Sequence, residues 1–244
     1  MKDSASNKEL FEYYNERAPE YEEFYWGRFP AKIPSPDLYR NDTLAVQKLL
    51  PDYVSGKCID IACGTGFWLP VYEKNCTDIT LLDQSEGVLD ECRKKIDKLG
   101  IDDKVRIIRN DIFHYPFEED GYESALVGFL ISHFTDAELG SFLDALKVLL
   151  APDGRFIIID SVWSKEIAVI RKRKAGMITR TLSDGREFDI YKRFFEKQDL
   201  HDIAGEYGIS LEIAYWGRIF FLAIGSFPGG QEFYYAVRRG YHQS

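Results

Sequence analysis

The chain has 244 residues, with 40 acidic against 31 basic side chains and a formal net charge of −9. Hydrophobic residues make up 45% and charged residues 29%, which supplies a sizeable core and excludes global disorder. The length suits one elaborated α/β domain or two small ones. So acidic a chain is no general nucleic-acid binder, because that activity needs a basic surface to displace counterions.

Four cysteines, Cys58, Cys63, Cys76 and Cys92, include no C-x-x-C pair, and no histidine stands at ligand spacing from them, so no metal site is expected. They read as reduced thiols. The polar, charged opening MKDSASNKEL is not a signal peptide, and no apolar run approaches the roughly 20 residues that span a bilayer. A cytoplasmic protein without membrane or nucleic-acid partners is expected, as a monomer or homodimer.

Residues 7–26 have helical periodicity, and the Pro-rich FPAKIPSPD comes next. Asp37 is positioned to cap a helix running to Leu50, which Pro51 ends. Alternation then begins: KCIDIA as a buried strand, the turn CGTG, and a helix from Phe67. DITLLD is a second strand, followed by a helix capped by Ser85 and ending near Gly100. VRIIRND and YESALVGFL are the third and fourth strands, a helix runs from Thr135 to Leu150, and APDGRFIIIDS gives a turn and a fifth strand. This alternation predicts a mostly parallel sheet with helices on both faces. Beyond Ser161 the pattern changes. Residues 171–193 centre on a Ser-Asp-Gly turn between alternating segments, a hairpin pattern. A helix from Glu196 to Tyr207 and two strands, ISLEIAYW and RIFFLAIG, close the series. The predicted organisation is a helical cap over 1–35, an α/β domain over 36–226 with a basic hairpin insertion at 165–195, and a tail over 227–244.

In CIDIACGTGFW an acid lies at the end of a buried strand, and Gly64-x-Gly66 opens a helix. Open parallel sheets bind ligands at the carboxyl ends of their strands, where glycine admits a close backbone approach and a helix start offers free N–H groups. Dinucleotides and S-adenosylmethionine (SAM) both use this geometry. The dinucleotide fingerprint needs a third glycine three positions after the second, and here that position is Leu69. Asp60, four residues before Gly64, suits the ammonium group that SAM carries and a pyrophosphate lacks. Asp83 ends the second strand, where a carboxylate can accept both hydroxyls of a ribose. Asp111 closes the third, where it can accept from an adenine amine. Any one such acid is as readily a solvated cap; three at successive strand ends are not.

Through DIACGTG, LLDQSEGVLDECR, RNDIF, ALVGFLISHF and LLAPDGRFIIID, residues 40–160 resemble the class I SAM-dependent methyltransferases. The resemblance implies a Rossmann-like seven-stranded sheet with its last strand antiparallel, SAM as cofactor and S-adenosylhomocysteine as product. It implies Asp60 and Gly64 near the methionine end, with Ala62 and Gly66 in the same turn. Asp83 and Gln84 would lie by the ribose, Asp111 and Ile112 near the adenine, and Phe129 along the cofactor. YYNERAPEYEEF resembles the opening of many small-molecule methyltransferases, in which tyrosines at the positions of Tyr14 and Tyr21 close over cofactor or substrate. RTLSDGREFDIYKRFF resembles a stretch after the fifth strand in a bacterial subgroup that includes phosphonate O-methyltransferases.

The acceptor side rests on three features. His133, after the fourth strand, faces the expected site, either as a base alongside Tyr14 or as a structural hydrogen-bonding group. Residues 171–193 carry eight bases and three acids, leaving −14 on the rest of the chain. That run is a solvated face, a dimer arm, or an anion-binding lid in which Arg180 and Arg186 come first, with Arg171 and Arg173 next. Eight aromatics between Phe11 and Phe29 exceed one buried stripe. They suggest a cap with Tyr14 and Tyr21 inward and with Tyr25, Trp26 and, from the fifth strand's end, Trp163 toward the substrate. These features favour O-methylation of an anionic or hydroxylated small metabolite. N- or C-methylation of an aromatic or prenyl metabolite is the alternative within the class. A non-catalytic SAM-binding protein or an NAD-dependent oxidoreductase stands outside it.

Overall fold

A computed structural model describes residues 4–28, 35–112, 115, 121–164 and 171–229, with side chains from Lys8 onward. A seven-stranded sheet organises them. Its strands are β1 (Gly56–Ile61), β2 (Cys76–Asp83), β3 (Val105–Arg109), β4 (Tyr122–Gly128), β5 (Leu150–Ser161), β8 (Ser210–Trp216) and β9 (Phe220–Ser226), in the order β3-β2-β1-β4-β5-β9-β8. The first five run parallel, as the alternation predicts, and β9 is antiparallel to both β5 and β8, as the resemblance implies. Strand order reverses between β1 and β4, so the crevice that such sheets use for ligands lies at their carboxyl ends.

Alternation along the strands feeds two cores. Ile59, Ile61, Ala125, Val127, Phe156 and Ile158 face α5 (Asp136–Leu149) and α6 (Lys197–Tyr207). Cys58, Leu81, Leu126, Ile157 and Ile159 face α2 (Pro36–Leu49) and α4 (Glu86–Leu99). On α5 the buried stripe Leu139, Phe142, Leu143, Leu146 has helical spacing, and each such side chain contributes about 1.5–3 kcal/mol on burial. A capping box starts that helix: Glu138 N–H donates to Thr135 Oγ1, and Thr135 N–H donates to the Glu138 carboxylate.

Three elements depart from the sequence reading. The N-terminal helix α1 (Ser4–Arg17) stops short of residue 26, because Pro19 cannot donate a helical hydrogen bond; Ala18–Phe24 continues as a 3-10 helix. After the glycine turn, α3 (Leu69–Tyr72) is a single turn, with Pro70 inside it. The residue at the start of α2 is Ser35 rather than Asp37, in a left-handed conformation and without a side-chain cap.

The hairpin consists of β6 (Ala175–Thr181) and β7 (Glu187–Arg193), joined by the expected Ser183-Asp184-Gly185 turn. It folds back on the chain's own cap. Tyr13 of α1 forms a small core with Leu182 and Ile190, and Glu16 pairs with Arg186 at 2.8 Å. Glu9 accepts from Asp189 N–H and Glu20 from Ser183 N–H. On its other side the cap grips the glycine turn and α4. Asn15 Oδ1 accepts from Ser85 Oγ and Gly87 N–H, while Glu22 accepts from Thr65 Oγ1 and pairs with Lys95. No helix among the described residues is long and apolar enough to cross a membrane. Phe29, the Pro-rich stretch to Pro34 and the aromatics of the tail from residue 230 lie outside the described residues.

Candidate active site

Two adjoining cavities open at the carboxyl end of the sheet. The first is a cleft of about 90 Å³ at the crevice between β1 and β4. Its floor is Ala62 and Gly64 from the turn after β1, Asp83, Gln84 and Ser85 from the end of β2, and Asn110 and Ile112 beyond β3. Gly128, Phe129, Leu130 and His133 supply the β4 side, and Leu10, Phe11, Tyr14 and Tyr21 of the cap close it. Two non-glycine residues at the strand ends are held at positive φ, Ala62 at 55° and Phe129 at 57°, a strain that clusters at ligand sites. Gly64 has φ 55°, and a Cβ there would touch the Tyr21 ring at 3.6 Å. Its N–H donates to Asp83 Oδ2 at 3.0 Å, while Ser85 N–H donates to Oδ1 at 2.9 Å. Burial raises the Asp83 carboxyl above its ordinary range against the pull of these backbone donors.

Most expected cofactor residues therefore meet in one place: Tyr14, Tyr21, Ala62, Gly64, Asp83, Gln84, Ile112 and Phe129 all line the cleft. Three do not. Gly66 lies behind the turn, where a Cβ would stand 2.7 Å from Cys92 Sγ, so its role is to let the turn pack on α4. Asp111 gives way to its neighbours Asn110 and Ile112, because β3 ends at Arg109 and the backbone direction beyond it selects those two. Asp60 is 3% exposed and accepts from Tyr72 Oη at 2.9 Å, in the core on the α2–α4 side.

Burial lifts the Asp60 carboxyl to about 7, Tyr72 opposing the shift and Asp83 adding to it. Between the unfolded value near 3.8 and about 7 the folded chain holds the extra proton, so this group's stabilisation is lost as pH rises through 7. Asp60→Asn keeps an acceptor for Tyr72 and removes the charge. The variant should melt higher than the parent at pH 8 and by a clearly smaller margin at pH 5, without cofactor. Equal differences at both pH values in thermal melts would reject the assignment.

The second cavity, of about 510 Å³, lies under the cap and hairpin and shares Tyr14, Tyr21, Phe129 and His133 with the first. Arg17, Arg171, Lys172, Arg173, Arg180 and Lys192 line it, and among the described residues no acidic side chain does. His133, 3% exposed, sits on the shared wall. Its Nδ1 lies 2.7 Å from Tyr191 carbonyl oxygen, which can only accept, so Nδ1 carries the proton in the neutral ring. Nε2 then accepts from Tyr14 Oη at 2.8 Å, and Lys192 Nζ stands 3.5 Å from the same nitrogen. Tyr14 and Tyr21 hold their protons firmly, because burial raises both phenols, Tyr21 to about 12.

Of the expected substrate residues, His133, Arg171, Arg173 and Arg180 line this chamber. Arg171 is structural as well: it donates to the Val162 and Ile219 carbonyls and lies over the Phe194 ring, and burial lowers it to about 10. Arg186 is elsewhere, exposed and paired with Glu16 and Asp184, where it ties hairpin to cap. Tyr25 is buried, stacked on Phe67 at 3.8 Å and donating to Tyr21 Oη at 3.4 Å; Trp26 packs edge-on to the same Phe67. Trp163 stacks on Phe194 outside the chamber lining. Sequence reasoning missed Lys192 and Arg17. The buried Lys192 donates to Ser132 Oγ and lies 3.6 Å from Asp160. The buried Arg17 donates to Tyr13 Oη at 2.6 Å and lies over Tyr21 and Phe24.

Residues 58–154, from β1 through the glycine turn to the start of β5, match the family model of a methyltransferase domain. With the sheet order and the crevice at β1 and β4, the match places a methyltransferase-type domain over this part of the chain. Over 123 residues this chain is 27% identical to a demethylmenaquinone methyltransferase of Clavibacter sepedonicus, covering 49% of this chain and 48% of that protein. The demethylmenaquinone methyltransferase of Staphylococcus aureus strain MRSA252 is 26% identical over 111 residues, 43% of each chain. The chain thus spans about half the length of the curated relatives it matches. Among solved structures, a DhpI–SAM–HEP complex superposes with a TM-score of 0.75 at 21% identity, covering 93% of this chain and 100% of that one. The PH0226 protein from Pyrococcus horikoshii OT3 gives 0.63 at 19% identity, covering 86% and 98%. Identities this low carry the fold alone.

Proposed function

We propose that this chain is a SAM-dependent methyltransferase that moves a methyl group to an oxygen of an anionic small molecule, with phosphonates as the fitting class. One observation carries the reading: among the described residues, six cations and no acid line a chamber that shares the wall Tyr14–Tyr21–Phe129–His133 with the cleft. DhpI, whose fold this chain shares, has been crystallised with SAM and HEP.

The cleft residues fit a nucleoside bearing an amino acid. The Asp83 carboxylate, organised by Gly64 and Ser85 N–H, would take the ribose hydroxyls, and the Asn110 amide and Ile112 would flank the base. Leu69, fully buried in the core, occupies the place where a dinucleotide site would need glycine. Bound there, SAM supplies a methyl carbon already activated on a sulfonium. The remaining tasks fall to the chain. Arg180 and Lys192 hold the acceptor anion, a charged oxygen needs no base, and the cap excludes water. Transfer to an already ionised oxygen would call for no proton movement, so no residue of the chain need act as a base. His133 is therefore an orienting group: its Nε2 already accepts from Tyr14, so together they fix the wall that aligns acceptor and methyl. Methylation also removes one negative charge from the acceptor, which weakens its hold on the cations and favours release.

Two measurements test the proposal. Calorimetry should show SAM binding and no NADH binding; the reverse would sink it. Arg180→Ala should raise the KM of a phosphonate acceptor about tenfold while SAM affinity stays within about twofold. Equal losses in both would place Arg180 in the fold rather than at the acceptor.

A further inference from the structure

The chamber's cations are spread along its depth. Lys192, 6% exposed and 3.5 Å from His133 Nε2, marks the inner end beside the shared wall. Lys172 and Arg173 are exposed and mark the mouth with Met177, which is 43% exposed. Two features show that the mouth pair is placed rather than merely solvated. Lys172 is held at φ 55°, an unusual conformation for a residue with a Cβ. Arg173 lies across Gly176, where a Cβ would come within 3.1 Å of its Cδ and 3.3 Å of Nη1, so the absent side chain makes the bed for the guanidinium. The bases on either side are committed elsewhere, Arg171 to backbone carbonyls and Lys174 to Glu196 and Asp199 at 2.7 and 2.9 Å.

A cavity of about 510 Å³ falls in the range of roughly 300–1,000 Å³ that encloses drug-sized ligands, well beyond a lone phosphonate group on a short stem. We infer that the acceptor carries a second anionic group, a carboxylate, held at the mouth by Lys172 and Arg173 while the group to be methylated sits at the inner end by Lys192. The substrate class is thus a phosphonocarboxylic acid with its two charges at opposite ends. This rests on the anionic-acceptor reading above and adds the second charge to it. Guanidinium is suited to the outer role through its bidentate fork, and lysine adds a mobile point charge.

The test compares matched ligands by calorimetry on protein saturated with S-adenosylhomocysteine: ω-phosphonoalkanoates with two to six methylenes against alkylphosphonates of equal length. At one or more lengths the carboxylate should tighten binding at least tenfold. In a Lys172→Gln, Arg173→Gln double variant that ratio should fall to within twofold. Alkylphosphonates binding as tightly as their carboxylated partners at every length would overturn the inference and leave the anionic-acceptor reading standing. A ratio that survives the double variant would overturn the placement of the second site. Binding of neither ligand series would overturn both readings together.

Discussion

Lys192→Gln should lower kcat/KM for an anionic acceptor about 100-fold, from the ~3 kcal/mol lost when one partner of a buried charged contact is removed. SAM affinity should change by less than about twofold, because Lys192 lines the second chamber and not the cleft. The ammonium is buried among Ser132, Asp160 and His133, and it lies 5.9 Å from the centre of the Phe129 ring. Burial lowers it to about 8, with Asp160 opposing the shift and Arg180 and Arg171 adding to it. On the proposed function, the charge that would hold the acceptor is lost as pH rises through about 8, and kcat/KM of the parent should fall there. Lys192→Arg keeps its charge to higher pH and should move that limb upward by at least one unit. Stability runs the opposite way. Between about 8 and the ordinary lysine value of 10.5 the unfolded chain holds the extra proton, so this group makes the fold more stable as pH rises. Asp160 retains the Ser132 and Ser161 N–H donors at 3.0 and 2.7 Å, so the glutamine variant keeps its fold. A flat kcat/KM between pH 7 and 9.5, together with full activity in Lys192→Gln, would remove the role.

Asp83→Asn should weaken SAM binding roughly 100-fold while phosphonate binding stays within about threefold. Both carboxylate oxygens accept backbone N–H groups, from Gly64 and Ser85. An amide in that position must turn its NH2 toward one of them, setting donor against donor in a buried site at a cost of ~1–3 kcal/mol. It also loses the charge that a ribose diol would meet, for a further loss of similar size. The turn itself loosens, so the melting temperature should drop by several degrees. Calorimetry with SAM reads the first effect and a thermal melt the second. Retained SAM affinity would mean that the carboxylate only staples the turn.

The glycine turn, the mostly parallel sheet and the basic hairpin were legible because each depends on local pattern: strand alternation, a G-x-G at a strand end, a run of bases about a Ser-Asp-Gly turn. The features that were not legible depend on how one element meets another. Asp60 has the sequence position of a ligand-binding acid, yet Tyr72, brought in by a one-turn helix, draws it into the core. Arg186 has the chemistry of an anion binder, but Glu16 on a distant helix claims it. Tyr25 faces Phe67 rather than the chamber because the α-helix stops at Arg17 and the tighter 3-10 turn rotates the residues after it. Lys192 left a usable signal: two residues from buried Ile190 on β7, it is forced onto the inward face by strand alternation. Arg17 left another, four residues after Tyr13 on one helix face.

The most direct test of the central claim is S-adenosylhomocysteine release from SAM over a paired panel of acceptors, phosphonates and phosphonocarboxylates on one side and neutral quinols and amines on the other. Cations on the chamber walls predict turnover with the phosphonates, with methyl esters as products and no turnover of the neutral set. Turnover of quinols or amines alone, with phosphonates inert, would contradict it.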